Sequence, residues 1–489
     1  MAYRDLHAFL DKLEELGELH RVRVEVDPVL EIAEITDRMC KSPHGGKALL
    51  FERVTGSAFP VVTNIFGSYR RICAALEIGE LEALARRMEE LFRQVPSTSP
   101  RDKIAALPQW GEFSRFLPKR VTYGVCREII DHDPDLGAYP VLTNWPGDGR
   151  PVHSGRFITL PLVFTRDPET GAFNCGMYRV AVFDGRTVGL HWSAKSGGAG
   201  HYEKYRARGE RMPLAIAVGG DPAVIYAASV PFPAPIDEMQ MAGFLRQSPV
   251  EVVQCLNSEL WVPANAEMVL EGYLEPGEMR REGAFGNHTG FYGMHEDVPV
   301  MHITCITRRR EMVYPATVVG PPPMEDCYMA KANERLLLPF IRLELPEVVD
   351  INLPLEGIFH GCAVVAIKKE GPGHARKVMD ALWGKGWLAA SRLLVIVDAD
   401  VDIHDLPVTS WRVINGVEWR RDLIVGESPF DKAFAAQGSR YSGGRLGIDA
   451  TRKMPGEGFT GEWPEEVSMA DSIKQLVDRR WREYGLSEE

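Results

Sequence analysis

Leu6, Phe9, Leu10, Leu13 and Leu16 recur at steps of three and four, so they line one face of a helix, and Gly17 supplies its stop. Short apolar runs at residues 48–51 and 60–63 read as strands, and a second helical pattern covers about 81–92. Residues 95–102 combine two prolines with Ser97, Thr98 and Ser99 and read as the start of a linker. From about 121 to 308 the pattern shifts to β-rich runs, such as 157–164 and 300–306, separated by glycine, proline and aspartate. That spacing suggests a barrel or sandwich. Further on, a strand at 363–367, a helix at 374–383 and a strand at 392–397 make a parallel α/β unit. Residues 430–454 read mostly as loop, and 469–484 as a polar helix suited to docking on a neighbouring subunit. No repeat or low-complexity segment interrupts this order, and 489 residues suffice for two to four domains.

Charge narrows the partners. The 56 basic and 68 acidic residues leave a net charge of −12 with no long basic block. This argues against nucleic acid and anionic membranes as partners. The densest basic run, Arg308-Arg309-Arg310, reads as a solvated strand end or turn. The N-terminus carries two charges within six residues and is no secretory signal, and no window approaches the roughly 18 apolar residues of a membrane span. Eight cysteines without a C-x-x-C pair fit the reducing cytoplasm, with incidental thiols rather than disulfides or a zinc cluster.

The candidate chemistry starts at Asn174-Cys175-Gly176-Met177-Tyr178-Arg179. With 178–183 read as a strand, opposite parity places Asn174 and Arg179 on opposite faces, one free to serve a metal and the other an anion. Downstream, Pro235-Ile236-Asp237-Glu238 sets a carboxylate just before an apolar stretch, and Glu282-Gly283-Ala284-Phe285-Gly286-Asn287-His288-Thr289-Gly290 places a second in a glycine-rich loop. The phosphate-loop, zinc-protease and strand-linked dinucleotide signatures are absent, and Gly371-Pro372-Gly373 is a helix entry turn.

With Trp145-Pro146-Gly147-Asp148, Val319-Gly320-Pro321-Pro322 and Gly447-Ile448-Asp449-Ala450-Thr451, these motifs resemble the UbiD family of decarboxylases over nearly the whole chain. The resemblance implies an α+β multidomain fold. Residues 1–115 would form an N-terminal α/β domain and linker, 116–315 a split β-barrel of the flavin-reductase type holding prenylated FMN, 316–460 a C-terminal α/β domain, and 461–489 a closing helix for oligomer contact. It implies reversible non-oxidative decarboxylation of an aromatic or heteroaromatic acid, releasing CO2. The cofactor would be prenylated FMN, supplied by a flavin prenyltransferase, with manganese or another divalent ion and potassium. The expected assembly is a homodimer or homohexamer. By the same resemblance Asn174 and Glu238 bind the metal. Met177, Tyr178, Arg179, His191, Trp192, Ser193, Ser229, Val230 and Pro231 line the cofactor, and Arg392 lies near its phosphate. Arg179 pairs with Glu282 and forks onto the substrate carboxylate, completing a catalytic set with Asn287.

Two positions depart from the family pattern. The loop 193–198, where some relatives add a histidine ligand, has none; His191 precedes it and His201 follows it, which leaves the third metal ligand open. Asn287 stands where relatives carry the proton-donating Asp or Glu, and an amide cannot donate a proton at neutral pH. Glu282, His288 and an ordered water remain as donors. Two other readings stand beside the decarboxylase: a carboxylase acting on a phenolic or aryl thioester substrate, and a flavin-binding split-barrel protein, either an oxidoreductase or a non-catalytic subunit. Retention of Asn174, Arg179, Glu238 and Glu282 favours catalysis.

Overall fold

The computed structural model describes every residue except 1, 98, 195, 294–295, 360, 385–386, 429–442 and 486–489. The first apolar stripe folds as the helix Leu6–Glu15, capped by Asp5, whose carboxylate accepts from the Ala8 N–H, and Gly17 leaves it at φ +70°. Its Leu6, Phe9, Leu10 and Leu13 are buried. Four strands form the neighbouring sheet in the order Leu19–Val26, Ala48–Val54, Val61–Thr63 and Tyr314–Pro315. The last of these arrives from the far end of the central region. The expected linker is shorter than its composition suggests, because Ser99 caps a helix at Pro100–Ala106.

The central region holds a ten-stranded sheet and, beside it, a three-stranded one in the order Trp261–Pro263, Glu251–Gln254 and Lys119–Val121. The path of the larger sheet runs Leu142–Thr143, Arg156–Ile158, Val180–Val182, Thr187–Leu190, Asp297–Arg308, Met268–Arg281, Met212–Val218, Pro161–Arg166 and Phe173–Gly176, with Ile129–Asp131 added alongside Asp297–Arg308. Among the described residues, no pairing joins the two ends of this path into a closed barrel. Where both faces are covered, as at Pro161–Arg166 and Met212–Val218, the strands read as nearly continuous apolar runs. Leu162, Phe164, Ala215 and Ala217 enter one core, and their neighbours Val163, Leu214, Ile216 and Val218 enter another. The Arg308–Arg310 run is not simply solvated. Arg309 turns inward to Asp5 (2.8 Å) and lies 3.6 Å from the fully buried Glu267, tying the first helix to the central sheet.

The C-terminal sheet has the order Val348–Asn352, Cys362–Ile367, Leu393–Asp398, Gly443–Asp449 and Leu423–Ser428. Its strands at 362–367 and 393–398 are parallel and flank the helix His374–Gly384, the expected α/β unit. The loop expected over 430–454 is corrected in part, since Gly443–Asp449 is a strand parallel to Leu393–Asp398; residues 429–442 lie outside the described residues. The 20-residue helix Glu325–Glu344 links this sheet to the N-terminal helix Glu82–Gln94. Arg335 reaches both Glu82 (3.1 Å) and Asp350 (2.6 Å), Arg342 reaches Glu89 (2.5 Å), and Phe340 packs edge-on against Phe92. The tail helix Asp471–Arg480 has no buried residue, and Ile473, Leu476, Trp481 and Tyr484 are exposed along it and its following turn. No described helix is long and apolar enough to cross a membrane.

Candidate active site

The expected strand at 178–183 is shorter than its sequence suggests. Regular pairing covers Phe173–Gly176 and resumes at Val180–Val182, leaving Met177, Tyr178 and Arg179 between two strands. The parity argument across 174–179 therefore fails. What holds the three residues is tertiary: the Met177 N–H donates to Ala228 O (2.9 Å), and the His191 N–H donates to Arg179 O (3.1 Å). These two bonds lace together three of the segments expected at the cofactor, 177–179, 191–193 and 228–231. Tyr178 and Trp192 then meet edge to face at 5.9 Å. Ser229 turns its hydroxyl back to Tyr226 O (2.7 Å), and Val230 is buried.

Arg179 spends its fork inside the protein. Its Nε donates to Glu282 Oε1 (2.8 Å) and its Nη2 to Glu282 Oε2 (2.7 Å). Glu282 thus takes the Nε–Nη2 edge of the guanidinium, so the fork expected for a substrate carboxylate is narrowed to the Nη1 group and the second N–H of Nη2, which His191 also approaches. His191 Nδ1 lies 2.8 Å from Glu282 Oε2 and 2.9 Å from Arg179 Nη2. Arginine only donates and the carboxylate only accepts, so a protonated Nδ1 donates to Glu282 and a bare one accepts from Arg179. Burial pushes the Glu282 carboxyl up, but hydrogen bonds and charge from Arg179 and His191 outweigh it and hold the group down at about 2. The Arg179 guanidinium also lies 4.6 Å over the Phe285 ring.

Glu238 opens the helix Glu238–Leu245, whose cap is Asp237, and it faces the strand bearing Asn174. Its Oε2 accepts from the Cys175 N–H (3.2 Å). Burial, with Asp237 adding to it, pushes the Glu238 carboxyl up to about 7. Asn174 is also underused, since its Nδ2 is buried without a hydrogen-bond partner. The Asn174 Oδ1 packs on Gly197 in the first turn of the helix Gly197–Arg208, where any side chain would collide with it. Two hard oxygen donors beside a glycine-rich helix N-terminus suit a cation and a phosphate. Neither nearby histidine joins them: His191 belongs to the Glu282 cluster, and His201 pairs with Thr165 (2.9 Å). Among the described residues no group of three or more His, Cys, Asp or Glu could hold a metal ion.

Asn287 sits in a tight hairpin. Its N–H donates to Phe291 O (3.1 Å), and the Gly293 N–H donates to Phe285 O (2.8 Å). The frame around this loop was not readable from sequence. Asp148 accepts from Gly286 N–H (2.8 Å) and Trp145 N–H (3.0 Å), and burial pushes its carboxyl up to about 6 against these bonds. Trp145 donates its indole N–H to Val319 O (2.8 Å), and its ring fills the space that a side chain at Gly286 or Gly320 would need. His153 Nε2 lies 2.6 Å from Glu282 O. The Trp145-Pro146-Gly147-Asp148 motif was the available signal for this frame, but its role needs the fold. A cavity of about 740 Å³ opens beside the cofactor segments, lined by Ser193 and Pro231 on one side and by Leu337, Phe340, Leu382 and Leu388 on the other. Arg392 lies two residues beyond Ala390 of that lining, at the entry to the strand Leu393–Asp398.

Comparison with known proteins gives the family and the overall fold. Residues 10–91, 119–322 and 327–450 match the N-terminal, Rift-related and C-terminal domains of UbiD, the 3-octaprenyl-4-hydroxybenzoate carboxy-lyase. An uncharacterized protein of Archaeoglobus fulgidus is 46% identical over 485 residues, covering 99% of each chain. Another, of Aquifex aeolicus, is 42% identical over 487 residues, again 99% of each. Among solved structures, the closed form of vanillic acid decarboxylase from Sedimentibacter hydroxybenzoicus superposes with a TM-score of 0.87 at 25% identity, covering 100% of both chains. The UbiD-class enzyme HmfF of Pelotomaculum thermopropionicum, solved with prenylated FMN, gives 0.78 at 28% identity, covering 97% of this chain and 100% of its own.

Proposed function

Since this chain belongs to the UbiD family of carboxy-lyases, we propose that it decarboxylates an aromatic or heteroaromatic acid, reversibly and without net oxidation, using prenylated FMN. The observation that carries this reading is the buried Arg179–Glu282 pair, fixed by His191 and Phe285 on the frame of segments 177–179, 191–193 and 228–231. Two solved relatives, one a vanillic acid decarboxylase and the other holding prenylated FMN, support it.

Met177, Tyr178, Trp192, Ser193, Ser229, Val230 and Pro231 would wall the cofactor. Asn174 and Glu238 would hold a divalent ion, manganese in this reading, against its phosphate, with Arg392 nearby. The bound flavin supplies the electron sink that loss of a carboxylate requires and that no side chain provides. Glu282 locks the guanidinium plane, so Arg179 offers Nη1 to the substrate carboxylate from one orientation. The apolar cavity beside Pro231 takes the remainder of the acid and excludes water. The same residues serve the reverse carboxylation, whose direction metabolite levels set. The exposed tail helix would pack on a second copy in a dimer or larger assembly.

The test is co-expression with a flavin prenyltransferase, followed by mass and absorbance of the bound cofactor and a screen of aromatic acids for CO2 release or proton–deuterium exchange. Purified protein carrying only unmodified FMN after co-expression, with no exchange on any acid, would sink the reading.

A further inference from the structure

We infer that Asn287 is a hydrogen-bond donor that reads an acceptor atom beside the carboxylate of the substrate, an assignment that rests on the decarboxylase reading above. The side chain is 4% exposed. Its Oδ1 accepts from the Thr289 N–H (2.8 Å) and from the Thr289 hydroxyl (2.5 Å). A backbone N–H can only donate, so the atom facing it is the oxygen, and the NH2 group points the other way. Among the described residues nothing accepts from that NH2.

Gly293 borders it: a Cβ built there would lie 3.6 Å from Nδ2, in contact with the amide, and glycine leaves this side uncovered. The hairpin does not itself select an amide. Aspartate would accept from the same N–H and hydroxyl through one oxygen, as in any such Asx turn. The choice of Asn over Asp therefore acts only at the second terminal atom, the one with no acceptor among the described residues. Phe285, two residues earlier on this loop, carries the Arg179 guanidinium on its ring, and Glu282 opens the loop. Because the loop 282–287 carries both Arg179 contacts and Asn287, an acid positioned by Arg179 would, on this assignment, meet a neutral donor from position 287, where an acidic residue would present a carboxyl.

The class of substrate follows. It carries, next to the carboxyl-bearing carbon, a ring nitrogen, an ether or phenolate oxygen, or a carbonyl. An N–H at that place would oppose the amide donor with a second donor, a mismatch that buried sites reject strongly.

Two matched pairs of acids test this on the cofactor-loaded enzyme by equilibrium dialysis: pyridine-2-carboxylate against pyrrole-2-carboxylate, and 2-methoxybenzoate against 2-aminobenzoate. The wild type is expected to bind the acceptor member of each pair about ten-fold tighter, the scale of one neutral hydrogen bond. Asn287→Asp should invert the order, and Asn287→Ala should erase it. The same ranking in all three proteins would overturn the inference. Dialysis reads binding alone, so inversion without CO2 release from any acid removes the decarboxylase reading and keeps the amide's role. Unchanged ranking with turnover intact does the reverse. Binding of no acid by any of the three proteins removes both.

Discussion

Glu282 and Glu238 are two buried glutamates of one site, yet the first is held down at about 2 and the second is pushed up to about 7. Burial raises both, so the difference lies in their partners. Glu282 receives two hydrogen bonds from Arg179 and lies beside His191, whereas Glu238 has the Cys175 N–H and a neighbouring carboxylate, Asp237, which adds to its cost. Each pKa unit corresponds to about 1.4 kcal/mol of preference for one protonation state. The Glu282 half therefore carries its own counter-charge, whereas the Glu238 half has a backbone N–H and a second carboxylate but, among the described residues, no cationic side chain holding it down, which is the setting the proposed divalent ion would fill.

The same substitution at the two positions should therefore fail in different ways. Glu282→Gln has the largest expected effect, a loss of about 10²-fold or more in exchange or CO2 release at normal cofactor content, the scale of a misplaced orienting group. Its unfolding free energy should also fall by roughly 3 kcal/mol, because the Arg179 charge loses its carboxylate. The pKa of Glu282 is depressed from an ordinary 4.5, so its stabilisation is whole above about pH 4.5 and fades as pH drops toward 2. Denaturant titrations of wild type and variant should keep a constant gap above pH 5 and converge below it. A mild loss of rate would reduce the pair to a structural role.

Arg179→Lys comes next. Lysine cannot span both Glu282 oxygens in one plane, so most turnover should disappear while the circular dichroism spectrum stays native. Near-normal turnover would take Arg179 out of substrate orientation. Glu238→Gln should instead lower metal and flavin content together in purified protein. The metal-free stability of this variant at pH 8 should equal or exceed wild type, because the amide removes an unpaired buried charge. Full metal and flavin stoichiometry in this variant would leave Glu238 as a helix-start carboxylate. The smallest effect is expected from truncation before residue 468. Thermal unfolding should move little, since no described residue of the tail helix or its following turn is buried, while light scattering should shift from dimer or larger toward monomer.

How much of this was legible depended on whether a residue's partners were near it in sequence. The first helix and the parallel unit around His374–Gly384 followed from local periodicity and stop signals. The strand at Gly443–Asp449 did not, because its glycines carry little β preference and it forms by pairing with Leu393–Asp398 and Leu423–Ser428. The break at 177–179 was equally hidden, since Ala228 and His191 take the backbone groups that a continuing strand would use. The residue types Asn174, Arg179, Glu238 and Glu282 could be named from motifs. The fork spent on Glu282, the Phe285 ring beneath it and the Asp148 support of Gly286 could not, for each joins segments far apart in the chain. Arg309 shows the same thing in reverse: a basic run that looks solvated has its middle member turned inward to Asp5.

The helix Glu325–Glu344 carries a consequence for how the molecule opens. Arg335 and Arg342 fasten it to the helix Glu82–Gln94 at two points along its length, and Arg335 also clasps Asp350 at the start of the C-terminal sheet. Elements fastened in this way loosen together, so their amide protons are expected to exchange as one cooperative unit, which hydrogen exchange would read. Thermal breathing of the C-terminal region is thereby shared with an N-terminal helix more than 200 residues earlier in the chain. A destabilising change on either surface of that contact reaches the wall of the cavity beside Pro231, through Leu337 and Phe340, without touching any residue of the site.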